Sequence, residues 1–256
     1  MRVPGIPRRT LFVVAGLTAA AIVGGVAVAG RLFFRDTSRP ASVIAALSAF
    51  RTEDPHPTGD EGLYLYDTTG GESIDVLNGA THAYPATTTL ALTRTACGVR
   101  LRWQALAGRS TTWVLCRSGR GTVEQSNVET HTFFGQTDHT NYTCAGVWPS
   151  TGPAGARHAF ACRSAHGSAR GFAVLVGRGA VLVGGTRVDA VHVRTTARVS
   201  GESHGTETVD WWLAGSPAAP VRIVLTSRTS RKEPIVGTAH YRERAVLRLE
   251  SLTPLR

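Results

Sequence analysis

A chain of 256 residues, 42% hydrophobic and 18% charged, is long enough to bury a sizeable core and lacks the composition of a disordered segment. The formal charge is +10, but Lys232 is the only lysine among 28 basic residues, a skew that GC-rich bacterial coding produces as readily as selection for a basic surface. No arginine–aromatic cluster sits on a recognisable nucleic-acid module, which excludes nucleic acid as the expected partner.

The first expected element is residues 11–30, LFVVAGLTAAAIVGGVAVAG, a stretch without a charge and about the length that crosses ~30 Å of hydrocarbon as a helix. Arg2, Arg8 and Arg9 precede it and place residues 1–10 in the cytoplasm by the positive-inside rule. Two readings stay open: a retained single-pass anchor, or a secretory signal cleaved after Ala27-Val-Ala29. Either puts the remaining chain on the extracytoplasmic side. Residues 41–256 carry 22 basic and 17 acidic residues. That mild excess suits anionic lipid heads or wall polymers, and equally a solvated arginine-rich surface.

Residues 31–61 read as a juxtamembrane short helix and linker. Pro40 is placed at the first helical position before residues 41–50, where Val43, Leu47 and Phe50 keep helical spacing. Residues 52–60 are polar and proline-bearing. The folded domain is expected over residues 62–256.

From residue 62 onward strand follows strand. Residues 62–67 and 72–77 predict a hairpin turning at Thr68-Thr-Gly-Gly71, and residues 87–95 are rich in β-branched and leucine side chains. All four cysteines lie in this exported part, where oxidation is expected, and none sits in a C-x-x-C pair. In the hairpin around residues 106 and 107, Cys97 opposes Cys116 and Val99 opposes Val114. The outer face then brings Arg100 and Arg102 near Trp113, a candidate cation–π and binding group. Tyr142, Cys144 and Trp148 alternate along one strand, and His158, Phe160 and Cys162 along the next. Disulfides Cys97–Cys116 and Cys144–Cys162 follow.

The final third reads as a meander of long strands over residues 187–199, 206–213, 220–229 and 235–252. In the last of these, Tyr241, Ala245, Leu247 and Leu249 alternate with charged residues, as a sheet with one buried and one wet face requires. Glu243 breaks the inward set. The fold class is therefore mostly β: an antiparallel curved sheet, sandwich or half-barrel built from hairpins. The run Asp210-Trp-Trp-Leu213, the proline turn through Pro220 to Arg222, and Tyr241 on the closing strand resemble the lipoprotein-carrier and lipid-carrier families of bacterial envelopes. The resemblance implies a curved sheet wrapped round an apolar interior that holds an apolar ligand.

Residues 201–205, GESHG, fit the G-x-S-x-G pattern of a nucleophile elbow. An elbow needs a parallel strand before it and a helix after it, whereas residues 206–213 are β-branched and aromatic. A hairpin tip pairing Val199 with Glu207, Ala197 with Val209 and Thr195 with Trp211 suits the segment better, with Ser203 and His204 exposed and without an acid–base partner. The carboxylate pairs Asp60/Glu61 and Glu202/Glu207 show no sign of converging on a cleft. The histidines, including His131 and His139 beside Asp138, lack the spacing of a zinc site. No phosphate-binding loop is present, and no cofactor or metal is expected. With Trp211 inside, Trp212 faces out and joins Trp113, Arg100 and Arg102 as candidate binding residues. The leading expectation is a membrane-anchored, non-catalytic extracytoplasmic binding domain for an envelope protein or an apolar lipid ligand. The alternatives are a hydrolase using Ser203 or a carboxylate pair, and a structural or regulatory ectodomain.

Overall fold

In the computed structural model, which describes residues 38–256 apart from 78, 120, 217, 235 and 236, the chain first touches the domain by its backbone. Ala41 N donates to Ala105 O and Ala107 N to Arg39 O (3.5 and 2.8 Å). Helix α1 spans Val43–Glu53, two residues later than expected, because Ser42 rather than Pro40 opens it: its hydroxyl accepts from Ala45 N at 3.3 Å. Only Phe50 of the helix is buried. Asp60 and Glu61, beyond the helix, are structural. Asp60 pairs with Arg94 and accepts from Ala218 N (2.8 Å), while Glu61 accepts from Thr58 N (3.0 Å) and Arg94 N (2.6 Å). The expected membrane segment, residues 11–30, lies outside the described residues. Among the described residues no helix is long and apolar enough to cross a membrane.

Thirteen strands follow: β1 (Gly62–Ile74), β2 (Ala80–Ala83), β3 (Thr87–Arg94), β4 (Gly98–Leu106), β5 (Arg109–Ser118), β6 (Gly121–Phe133), β7 (Gln136–Pro149), β8 (Arg157–Arg163), β9 (Gly167–Val183), β10 (Thr186–Gly201), β11 (Ser203–Ala214), β12 (Arg222–Glu233) and β13 (Gly237–Leu249). They form one antiparallel sheet, and β13 pairs with β1 from Tyr66↔Leu249 to Ile74↔Tyr241. The meander read from the sequence thus closes on itself as a barrel, which among the described residues leaves unpaired edges only at β2 and where the short β8 lies between the longer β7 and β9. Because all neighbours are antiparallel, the β4–β5, β6–β7, β8–β9, β10–β11 and β12–β13 turns share one end. The chain also enters at that end, where Pro40 bridges Leu106.

Three local expectations change. Thr68-Thr-Gly-Gly71 is not a turn: β1 runs straight through it, pairing with β3 over residues 62–67 and with β2 over residues 71–74. At Gly70 (φ 122°) a Cβ would lie 1.9 Å from Arg244 O, and at Gly71 2.3 Å from His82 O. The glycines therefore let one strand bend between two neighbours. In the β4–β5 hairpin the turn is Ala107-Gly108 and the register shifts between Gln104 and Leu106, so Val99 opposes Leu115 and Leu101 opposes Trp113. That one-residue change turns Trp113 inward, away from Arg100 and Arg102. In the β10–β11 hairpin the pairs are Val199↔Gly205, Ala197↔Glu207 and Thr195↔Val209. The shift is two residues, so every side chain keeps its expected face. Both disulfides form as expected, with Cα atoms 4.8 Å apart for Cys97–Cys116 and 3.9 Å apart for Cys144–Cys162.

Tryptophan side chains bridge the barrel interior from wall to wall. Trp113 of β5 and Trp148 of β7 both touch Trp211 of β11, with ring centroids 5.0 and 5.3 Å apart. Leu90, Leu101, Trp103, Ile223 and Leu247 continue the apolar core toward β1. The first pair is edge-on (86°) and the second tilted (36°), and aromatic contacts of this kind add about 0.5–1.5 kcal/mol each beyond their area burial.

Candidate functional site

Glu243, the residue that broke the inward pattern of β13, belongs to a buried polar layer built from five strands. The β4–β5 turn aims Arg109 into the barrel, where Nε and Nη2 donate to the two Glu243 carboxylate oxygens at 3.0 and 2.9 Å. Nη1 donates to Ser110 O (2.8 Å) and Thr111 Oγ1 (2.6 Å). Tyr84 and Tyr241 donate to Glu243, the latter at 2.9 Å. Glu72, directly opposite Glu243 in the β1–β13 register, receives His82 Nδ1 (3.0 Å) and His131 Nδ1 (3.1 Å), and shares the single Tyr241 hydroxyl proton (3.0 Å) with Glu243. Burial works against the Glu72 carboxylate, but the hydrogen bonds from His131 and His82 and the charges of His131 and Arg109 bring its pKa down to about 2. Burial, followed by the Glu243 charge, pushes the Tyr84 hydroxyl far above the phenol range.

On the inward face of β6 the layer continues as Asn127, Glu129 and His131. The Asn127 amide donates to Glu129 Oε1 at 3.2 Å, and His131 Nε2 lies 3.8 Å from Glu129 Oε2. Beyond them lies a cavity of about 40 Å³ lined by Glu124, Asn127, Glu129, Glu207, Tyr142 and the three tryptophans 113, 148 and 211. That volume admits a few water-sized groups at ~10–15 Å³ each and falls well short of the ~300–1,000 Å³ of a small-molecule site. Burial, then the charge of Glu129, pushes Glu124 up to about 8. Burial, then the charges of Glu129, Glu124 and Glu243, pushes Glu207 well above the carboxylate range. Glu129 is held low despite burial by its hydrogen bond to His131 and the charges of His131 and Arg109. Among the described residues, Asn127 Oδ1, Trp148 Nε1 and Trp211 Nε1 are buried without a hydrogen-bond partner, and all three residues line this cavity. The only close grouping of metal-ligand atoms among the described residues is Glu124 with Cys144 and Cys162, whose sulfurs are already joined to each other.

The outer wall over β9–β13 presents a second arrangement. Register aligns Arg170 with Arg198, Arg198 with Thr206, Thr206 with Arg228, and Arg228 with Arg242. Arg244 follows two residues along β13, and all five arginines are exposed. With strands ~4.8 Å apart the row spans roughly 19 Å. Nearby arginines are paired: Arg194 with Asp210 (2.8 Å), Arg231 with Glu202 (3.0 Å) and Arg248 with Asp67 (3.3 Å). Among the described residues the five of the row are not.

The candidate binding residues separate. Trp113 is in the core. Arg102 pairs with Glu53 of α1 at 3.0 Å, and Arg100 is exposed on β4. Trp212 does face outward, but stacks on His192 (4.0 Å) beneath Arg222 (4.5 Å), while His192 Nε2 bonds Asp210 at 2.6 Å. Ser203 is half-buried opposite Arg231 and His204 exposed beside Ser230. Glu202, at the hairpin tip, meets His166 (2.9 Å) and Arg231, whereas Glu207 lies inside the barrel, so this carboxylate pair does not converge. Sequence reasoning missed Arg109 and the cavity carboxylates Glu124 and Glu129, and singled out Glu207 only as a partner of Glu202. The usable signals were Glu243 on an apolar face and the polar parity of Asn127, Glu129 and His131. No protein-family model, curated protein or solved structure matches the chain.

Proposed function

We propose that this is a membrane-anchored, extracytoplasmic, non-catalytic binding domain that works through its outer wall, laying β9–β13 on the anionic headgroups of the bilayer that holds residues 11–30. The unpaired arginine row carries this reading. A barrel filled by tryptophans and a polar layer leaves the outside as the surface for recognition, and two disulfides suit an oxidising compartment. Chain entry at Pro40 lies at the barrel end toward which Arg170 and Arg198 sit, three residues from the ends of their strands. Residues 31–37 reach at most ~25 Å when extended, so the anchor keeps this end near the headgroups. Each arginine near an anionic surface contributes ~1 kcal/mol, within a Debye length of ~8 Å. Tethering raises the effective concentration enough for such weak contacts to hold.

All four cysteines are in disulfides, so a single Thr206→Cys substitution in the middle of the row reports its accessibility. In full-length protein reconstituted into nanodiscs, maleimide labelling of this position is expected to be slower with phosphatidylglycerol present than with phosphatidylcholine alone, and to recover in high salt. Equal rates in both lipids would reject the reading.

A further inference from the structure

The interior layer holds more carboxyl groups than its cations can pair. Glu72, Glu124, Glu129, Glu207 and Glu243 face only Arg109, His82 and His131 from the strands packed around them. Even with both histidines protonated, two carboxylates remain unmatched. The excess sits at the cavity: among the described residues Glu124 and Glu207 form no ion pair and accept no hydrogen bond, Arg109 reaches Glu207 only through its longer-range charge, and Tyr142, Trp113, Trp148 and Trp211 line the same space.

Asn127 gives an independent observation. It is 8% exposed, and the bond from its amide nitrogen to Glu129 fixes which way the amide points. The carbonyl Oδ1 is left as a buried acceptor without a donor, on a residue that lines the cavity. Leaving such an acceptor unmet costs about 1–3 kcal/mol, so it marks a place for a donor that is not part of the chain.

We infer that this cavity is a binding site for a small primary ammonium ion, which donates N–H bonds to Asn127 Oδ1 and to the Glu207 and Glu124 carboxyl groups while resting against the tryptophan faces. The chemistry matches on each count. An ammonium brings donors only, which suits the Asn127 carbonyl and the two carboxyl groups, while the orphaned indole N–H groups of Trp148 and Trp211 need an acceptor beside it. Aromatic faces attract cations by ~0.5–2 kcal/mol, more when dry. The volume of about 40 Å³ holds a methylammonium-sized group and one water, which accepts from the indole N–H groups of Trp148 and Trp211. Mg²⁺ or Ca²⁺ is less well served, since each needs six or more oxygen ligands close together. Binding exchanges one proton for the cation: one carboxyl that is neutral in the empty site ionises and releases its proton to solvent, while the other stays protonated. The inference does not depend on membrane attachment.

The probe is methylammonium chloride, read by thermal unfolding of the full-length protein in detergent and compared at equal ionic strength with sodium, potassium and tetramethylammonium chlorides at pH 5 and pH 8. The expected result is a rise in Tm of about 2–4 °C with methylammonium at pH 8, smaller at pH 5, with no rise for tetramethylammonium. The rise should be lost in Asn127→Leu and in Glu207→Gln. The latter removes a buried ionisable group and is expected to fold at least as well as wild type, so loss of its response cannot be laid to misfolding. An equal rise with potassium would assign the cavity to an alkali ion and overturn the ammonium assignment. An unchanged response in Glu207→Gln, or no difference between methylammonium and sodium at either pH, would leave only bound water there and overturn the site.

Discussion

Arg109 and Glu243 are 134 positions apart in sequence and meet inside the barrel through two hydrogen bonds of 3.0 and 2.9 Å, with 1% and 2% of their side chains exposed. The pair joins β5 to β13 across the interior and is itself boxed in by Tyr84, Tyr241 and Glu72. Its contribution to stability is asymmetric. Removing one partner strands a buried charge, and Arg109→Met or Glu243→Leu alone is expected to cost about 3–5 kcal/mol in chemical denaturation. The double variant is expected to cost less than the sum of the two, because no unpaired charge is left.

Glu72 makes the barrel sensitive to acid. Its folded pKa of about 2 lies below the ordinary 4.5, so its contribution is complete above pH 4.5 and is lost as pH falls toward 2. The difference corresponds to roughly 3 kcal/mol. Unfolding free energies measured between pH 5 and pH 2 should fall more steeply for the wild type than for Glu72→Gln.

Glu124 acts with the opposite sign. Its carboxyl is raised to about 8 from 4.5, so the folded state holds a proton that the unfolded state has released. Stability is fully present below pH 4.5 and declines as pH rises to 8. Glu124→Gln is therefore expected to be more stable than wild type at pH 8, by up to about 3–5 kcal/mol, and to match it near pH 4.5. Together with Glu72 this places maximal stability on the acid side of neutrality in ammonium-free buffer.

The Cys144–Cys162 disulfide links directly paired residues of β7 and β8 and closes a segment with a sequence separation of 18. Replacing both cysteines by serine is expected to cost about 3 kcal/mol through the larger entropy of the unfolded chain, measured as a shift in denaturation midpoint under oxidising conditions.

Local patterning carried much of the fold and little of the site. Alternation along β10 to β13 and the spacing of four cysteines around two turns were legible, because a period of two and a short loop leave few registers open. Bulges were not. The extra residue near Ala105 turned Trp113 inward, and the shift between Val123 and Ser126 put Asn127, Glu129 and His131 on the inner face. Arg109 sits beside a glycine turn and reads as an exposed loop residue until β13 is brought round to meet it. That closure is set by pairing between residues about 180 positions apart, such as Tyr66 and Leu249, for which no local signal exists. The arginine row was hidden for the same reason, since its members are neighbours only through four successive registers.

On the proposed reading the aligned arginines give this domain its macromolecular partner, the anionic bilayer surface, whatever small ion the interior cavity holds. Residues 38–256 contain every strand of the closed barrel, so this segment can be assayed apart from the anchor. The direct measurement is its co-sedimentation with vesicles of phosphatidylcholine alone and with 30% phosphatidylglycerol, over a salt series. Binding is expected only to the anionic vesicles, weakening steeply with salt, and lost in the quadruple variant Arg170→Gln, Arg198→Gln, Arg228→Gln, Arg242→Gln with the fold intact by circular dichroism. Binding that is indifferent to phosphatidylglycerol, or that survives in the quadruple variant, would contradict it.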